Sequence, residues 1–230
     1  MPDDDLDGVV RRADPDRWLS SRFIADPSQR SDVIALYAFD HELERAGRVA
    51  SNALLAEIRL TWWREALDEI FAGVAVRYHP AAARLTEVVR ARNLPRAPLE
   101  AMIDGRIDAL DAHPMSLEAA VRWSRDVAGS AAWAAGLILD PEAPQATTVE
   151  AGALWGLYLL ASRGKVDRVE AATHIARVLP IVVVEAARLS PEAFPAVAHV
   201  CLARTLRGGW TKGPMARRLR LVAATLTGRL

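Results

Sequence analysis

Two sets of carboxylates stand at spacings that could do chemistry. In the stretch LYAFDHELERAG that starts at Leu36, Asp40 and Glu44 are four residues apart. On a helix their carboxylates lie one above the other, with Glu42 turned about 200° away. Further along, Asp104, Asp108 and Asp111 follow at i, i+4 and i+7 and share a second stripe. Acids stacked in this way can hold Mg2+ through one or two oxygens each while water or a substrate phosphate completes the shell. The same spacing also makes an ordinary solvated face. Asp40 and Glu44 would then pair with neighbours such as Arg45 or Arg48, and the Asp104 stripe would be relieved by water, a cation or Arg106. A catalytic reading of both sets requires that they face one polar cavity.

Other chemistries find little support. His41, His79, His113, His174 and His199 are scattered without His-x-x-x-His or Glu-x-x-His spacing, so zinc and di-iron sites are not indicated. Cys201, the single cysteine, sits in an apolar run, which excludes a disulfide framework and a thiolate cluster. No nucleophile elbow, Walker loop or dinucleotide fingerprint occurs. Trp62 and Trp63, on an amphipathic stretch, read as core anchors.

The elements that must position these acids are helices. Alanine, leucine and arginine dominate, Gly and Pro fall mostly between periodic segments, and the β-branched runs are too short for a sheet. Helix starts are marked by Asp14 before Pro15, Asp26 before Pro27, His79 before Pro80, Pro114 ahead of Ser116, and Asp167. These signals predict helices near 15–24, 27–47, 52–72, 80–92, 96–111, 116–138, 148–162, 168–178, 180–189, 191–207 and 214–227. Residues 1–13 are expected to be flexible. With 230 residues, 51% of them hydrophobic, the chain is long enough for one helical core and gives no reason to divide it.

Lys plus Arg equals Asp plus Glu at 29 each, so no global field favours nucleic acid. The end of the chain is nevertheless cationic, with Arg204, Arg207, Lys212, Arg217, Arg218, Arg220 and Arg229 and no acid after Glu192. This leaves two readings: contact with an anionic membrane surface, or a solvated helix face. No segment reaches the roughly 18 to 20 apolar residues of a membrane span. No secretory signal opens the chain. The expectation is a cytoplasmic protein, with peripheral membrane contact through the basic terminal helix.

The order of several pieces resembles the squalene/phytoene synthase family. They are DRWLSSRF from Asp16, Arg30, LYAFDHELER, EIRLTWWREALDEI from Glu57, His79–Pro80, IDGRIDALDA from Ile103, DVAGS from Asp126, and RRLRLVAATLTGRL from Arg217. The resemblance covers nearly the whole chain. It implies an all-α, isoprenoid-synthase-like bundle with a central apolar cavity and, as cavity or phosphate contacts, Ser20, Arg22, Arg30, Tyr37, Phe39 and Arg48. It also implies prenyl diphosphate substrates and Mg2+ held by two aspartate-rich motifs on facing helices.

Those motifs are degraded here. The two acidic positions of the first correspond to Glu44 and Arg48, so a cation replaces one ligand. The second motif belongs on the helix near Val149, where the chain reads LWGLYLLASRGKVDRVEA, with only Asp167 and Glu170 acidic and both after Gly164. Electrostatic stabilisation is usually the largest catalytic contribution, one donor alone being worth about 3 kcal/mol. Loss of several metal ligands therefore predicts impaired ionisation of a diphosphate, whereas binding can persist through cations such as Arg48. In this the chain resembles the family's non-catalytic relatives, which act as assembly factors for mitochondrial respiratory complex I. The expectation is a lipid-binding or assembly protein with no certain cofactor. The alternative is an active Mg2+-dependent prenyltransferase recruiting Asp40, Glu44, Asp104, Asp108 and Asp111.

Overall fold

In the computed structural model the described residues are 3–48, 50, 52–110, 114–207 and 213–230, with the side chains of 3–5, 207 and 214 left aside. They form eleven α-helices and no strand: α1 (Asp3–Ala13), α2 (Pro15–Ser21), α3 (Pro27–Arg48), α4 (Ala53–Ala72), α5 (Pro80–Arg92), α6 (Arg96–Ile107), α7 (Leu117–Ser124), α8 (Ser130–Leu139), α9 (Gln145–Ser162), α10 (Arg168–Ala186) and α11 (Pro214–Thr227). A single π-turn, Arg125–Gly129, joins α7 to α8, and 3₁₀ turns occupy Phe194–Ala196 and Ala198–Arg207.

All five expected starts are made by the side chains that marked them. Asp14 accepts from the Arg17 amide at 2.9 Å, Asp26 from that of Ser28 at 2.7 Å, and His79 Nδ1 from Ala81 at 3.2 Å. Ser116 accepts from the Ala119 amide at 3.2 Å, and Asp167 from those of Val169 and Glu170 at 2.9 and 2.8 Å. Each satisfies a donor that the first turn of a helix leaves open.

Three expectations are corrected. Residues 3–13 are helical rather than flexible, because Leu6 and Val10, one turn apart, are buried in the core and α1 packs along α3. The stretches 168–178 and 180–189 are one helix through Pro180, whose ring lies on the exposed side. There the carbonyl that loses its hydrogen bond can be solvated. Finally, 191–207 is turn and 3₁₀ helix rather than α-helix.

α3 is the hub. Every residue from Asp32 to Phe39 is buried, the pattern of a helix surrounded on all sides, and α1, α4, α5, α6 and α8 pack around it. The one charge in that run, Asp32, is held by Arg92 at 2.8 Å and Arg84 at 3.0 Å. α9 is the second axis, in contact with α7, the π-turn, α8, α10 and the 3₁₀ segment. Its close approach depends on missing side chains. A β-carbon at Gly152 would lie 2.6 Å from Ala132 Cβ and 2.8 Å from Gly129 Cα, nearer than atoms pack. α3 and α9 do not pack along one another, and a cavity separates them.

Candidate functional site

The cavity has a volume of about 540 Å³ and is walled by α3, α4, α6, the π-turn and the end of α9. Tyr37, Asp40, Glu44 and Arg48 follow at spacings of three, four and four, so α3 turns one stripe toward it. Apolar side chains, among them Leu60, Leu110, Met115, Trp123 and Val127, make the deeper wall. The polar end is dominated by cations: Arg17, Arg48, Arg106, Arg163 and Lys165, against the carboxylates of Asp40 and Glu44.

Asp40 is clamped. Arg106 donates to its Oδ1 at 2.6 Å and Arg17 to its Oδ2 at 2.6 Å, with all three side chains nearly inaccessible. Burial alone would raise the Asp40 pKa, but the guanidiniums of Arg106 and Arg17 outweigh it and hold the carboxyl below its ordinary value. Glu44, more open, pairs with Arg163 at 3.0 Å. Beside the main cavity a smaller chamber of about 110 Å³ is lined by Arg17, Tyr37, Trp155 and His41 among others, and shares Asp40, Glu44 and Arg163 with it. The Arg17 guanidinium lies 5.2 Å from the Tyr37 ring centroid, and burial pushes that phenol's pKa up. Two buried donors of side chains that line this chamber, Arg17 Nε, 3.7 Å from the Asp14 carboxylate, and Trp155 Nε1, make no hydrogen bond among the described residues.

Of the second carboxylate stripe, Asp104 and Asp108 do not line the cavity. Asp104 pairs with Arg64 of α4 and is half exposed, Asp108 is exposed, and Asp111 lies outside the described residues. Arg106 is turned about 200° from Asp104 and so faces inward while its acidic neighbours face out. The burial of Asp126, together with the charge of Asp108, raises the Asp126 carboxyl.

The remaining expected contacts divide. Tyr37 and Arg48 line the polar chambers. Ser20 is buried, donates to the Pro195 carbonyl at 2.6 Å, and serves the scaffold. Arg22 turns to Asp7 at 2.6 Å and stacks over Trp18. Phe39 is wholly buried against the edge of Trp63, and Arg30, half-buried, lines none of the chambers. Arg17, Arg106, Arg163 and Lys165, the cations that define the site, are absent from the sequence-based expectation. Nothing in their spacing distinguishes them, because their partners are remote in the chain. In the terminal helix, Arg217 points inward to Asp16 at 2.5 Å and Tyr158 at 2.7 Å.

The donor set does not suit a magnesium cluster. Both oxygens of Asp40 accept from guanidiniums, Glu44 is paired, and among the described residues no three His, Cys, Asp or Glu side chains gather closely enough to hold a metal.

A family model described as squalene/phytoene synthase matches residues 10–194. The chain belongs to the squalene/phytoene synthase family. Its fold is that of other members. It superposes on the crystal structure of a dehydrosqualene synthase in complex with ligand with a TM-score of 0.69 and 15% identity, over 98% of this chain and 95% of that one. For squalene synthase HpnC from Alicyclobacillus acidocaldarius the TM-score is 0.59 at 16% identity, over 98% and 94%. In sequence, the chain is 30% identical over 103 residues to NADH dehydrogenase (ubiquinone) complex I, assembly factor 6, of Bos taurus. That match spans 45% of this chain and only 30% of the bovine protein's length. This squalene/phytoene synthase family member therefore has the fold of the solved synthases, while arginines occupy both oxygens of its most buried cavity acid.

Proposed function

We propose that this protein binds a phosphate-headed isoprenoid or related lipid without metal and without ionising it. The observation that carries this reading is the polar end of the cavity, where five cations face two carboxylates that are themselves paired. Arg17 and Arg106, locked on Asp40, form a fixed positive wall. Arg48, Arg163 and Lys165 are the freer cations that would meet a phosphate, with Arg17 Nε and Trp155 Nε1 as donors for one of its oxygens. The apolar wall from Leu60 to Val127 accommodates the chain of the lipid. Ionisation of a diphosphate by a metal cluster would need carboxylates free to hold the ions, and here both oxygens of Asp40 accept from guanidiniums while Glu44 pairs with Arg163, so the reading stops at binding.

The test is a titration of the purified protein with farnesyl diphosphate in Mg2+ and in EDTA. Equal affinity in both, no release of pyrophosphate, and at least about a tenfold loss in Arg48→Glu with Arg163→Glu would support it. Turnover that requires Mg2+ and disappears in Glu44→Ala would establish the active prenyltransferase instead.

The likeness to a complex I assembly factor supports a role in assembly of a respiratory NADH dehydrogenase, with the loaded cavity as the working form. Deleting the gene in its own host should lower membrane NADH dehydrogenase activity, and Arg48→Glu with Arg163→Glu should fail to restore it. Unchanged activity after deletion would remove this role.

A further inference from the structure

The outer edge of α4 carries side chains that the bundle does not use. Leu54, Leu55 and Ile58, on its first two turns, are 65%, 40% and 55% exposed, although α4 buries Ala56, Leu60, Trp63, Ala66, Leu67 and Ile70 on its other face. Leu54, Ile58 and Trp62 follow at intervals of four and form one outward row. After α4 the chain doubles back along the helix. Arg77 pairs with Glu69 and Glu65, both at 2.7 Å, and lies over the Trp62 ring, while His79 reaches Trp62 and Trp63. This return leaves Tyr78, 94% exposed, beside the row.

Between α3 and α4 a groove of about 390 Å³ opens here, floored by Ala46, Trp62 and Trp63 and bounded by Ile58, Arg45 and Arg59. Arg48 and Arg59 are exposed and have no ion-pair partner among the described residues. Arg45 shares its charge with Glu42 at 2.9 Å, and Glu57 is the exposed acid of the same turns.

We infer that the edge formed by α3 and the first turns of α4 is a docking surface for an anionic lipid bilayer. Leu54, Leu55 and Ile58 enter the acyl boundary, Trp62 and Tyr78 sit at headgroup level, and Arg45, Arg48 and Arg59 meet lipid phosphates. Aliphatic tips, amphipathic rings and guanidiniums together are the set that partitions into the headgroup boundary, and the cations give the charge complementarity that an anionic leaflet selects. The acids of this edge do not cancel its cations, since Glu42, which also lines the groove, is taken by Arg45 and Glu57 alone stands against Arg48 and Arg59. Arg48 and Leu60 also line the main cavity, so docking at this edge brings the cavity's cationic rim to the bilayer. The surface stands on its own exposed groups and holds whether or not a lipid occupies the cavity.

The test is sedimentation of the full chain with phosphatidylcholine vesicles, with and without phosphatidylglycerol. Binding that needs phosphatidylglycerol and weakens with salt is expected. Leu54→Asp with Ile58→Asp, and separately Arg45→Glu with Arg59→Glu, should each weaken partitioning by at least about tenfold. Met215→Asp with Leu219→Asp, on the exposed side of α11, should leave it unchanged. Circular dichroism checks that the variants are folded. A second readout is independent of any loss. Cys201 is buried and its thiol is pushed up to about 12 by that burial, so in Ile58→Cys the new thiol takes an environment-sensitive dye. Its emission should shift to the blue on vesicles, whereas a dye on Met215→Cys should not shift. No sedimentation, sedimentation lost only in the α11 variant, or a blue shift confined to Met215→Cys would overturn the proposal. The cavity reading would survive any of these, since farnesyl diphosphate binding is measured without a membrane.

Discussion

Asp40 on α3 and Asp104 on α6 each stand four residues before a second acid, yet they have opposite surroundings. Asp40 lies within the bundle with a guanidinium on each oxygen. Asp104 lies at the rim, half exposed, with one partner across from α4. The difference comes from the opposite faces of their helices. α3 is encircled from Asp32 to Phe39 and Asp40 follows directly on that buried run, whereas α6 buries Leu99, Met102, Ile103 and Gly105 and leaves Asp104 and Asp108 on its open side. Spacing aligns two carboxylates with each other, but depth is set by what packs against the remainder of the helix.

The contrast is broken most severely by Asp40→Ala, which leaves the buried Arg106 guanidinium without a carboxylate and Arg17 with only Asp14, 3.7 Å from its Nε. A loss of about 3–5 kcal/mol in urea unfolding is expected. Replacing all three members of the clamp together, Arg17→Met, Asp40→Leu and Arg106→Leu, should recover most of it, because the apolar triad buries no charge and the one carboxylate it deprives of a partner, Asp14, is partly exposed. Failure to recover would mean that the clamp does more than neutralise itself.

Acid sharpens the comparison next. Asp40 titrates below its ordinary value in the fold, so its stabilisation is present above the unfolded carboxyl pKa and is lost as pH falls through the folded one. His199 adds an earlier decline. It is buried without hydrogen-bond partners among the described residues, and burial together with Arg17 keeps it neutral well below its usual range. The unfolded chain therefore takes up a proton from about pH 6.5 downward while the native one does not, and stability falls with pH over that window. Urea midpoints measured against pH should show both declines. His199→Phe should diminish the upper one, the part that remains belonging to His79 and His174, whose burial also lowers their pKa, and should leave the acid one.

At the rim the effects shrink. Asp104→Asn should change stability by less than about 1 kcal/mol in the same unfolding assay, since the pair is solvated and screened. Smallest of all is the response to Mg2+. A melting midpoint that does not move between Mg2+ and EDTA is expected, and a rise with Mg2+ abolished by Glu44→Ala would restore metal binding to this cavity.

What could be read along the chain was what neighbours determine. Asp14, Asp26, His79, Ser116 and Asp167 each act within three residues, and they place their helices correctly. α1 escaped notice because Asp3, Asp4, Asp5 and Asp7 hide the Leu6–Val10 pair, whose burial depends on a distant α3. The degraded acids were visible as substitutions at Arg48 and along residues 154–166. That arginines had taken over the site was not, because Arg17 meets Asp40 across 23 residues and Arg106 meets it across 66. Arg106 lies among aspartates in sequence, but the helical turn carries it to the other side.

One contact bears on how the molecule comes to exist. Arg217 joins Asp16 and Tyr158, bridging positions 201 and 59 apart, and Leu221 is fully buried one turn further on. Until α11 has been made, the wall formed by α2 and α9 lacks this cover, and Asp16 waits for a partner 201 positions further along. Closure here is thus a long-range event in the molecule's biogenesis, of the kind that leaves apolar surface open to aggregation while the intervening chain is still being synthesised.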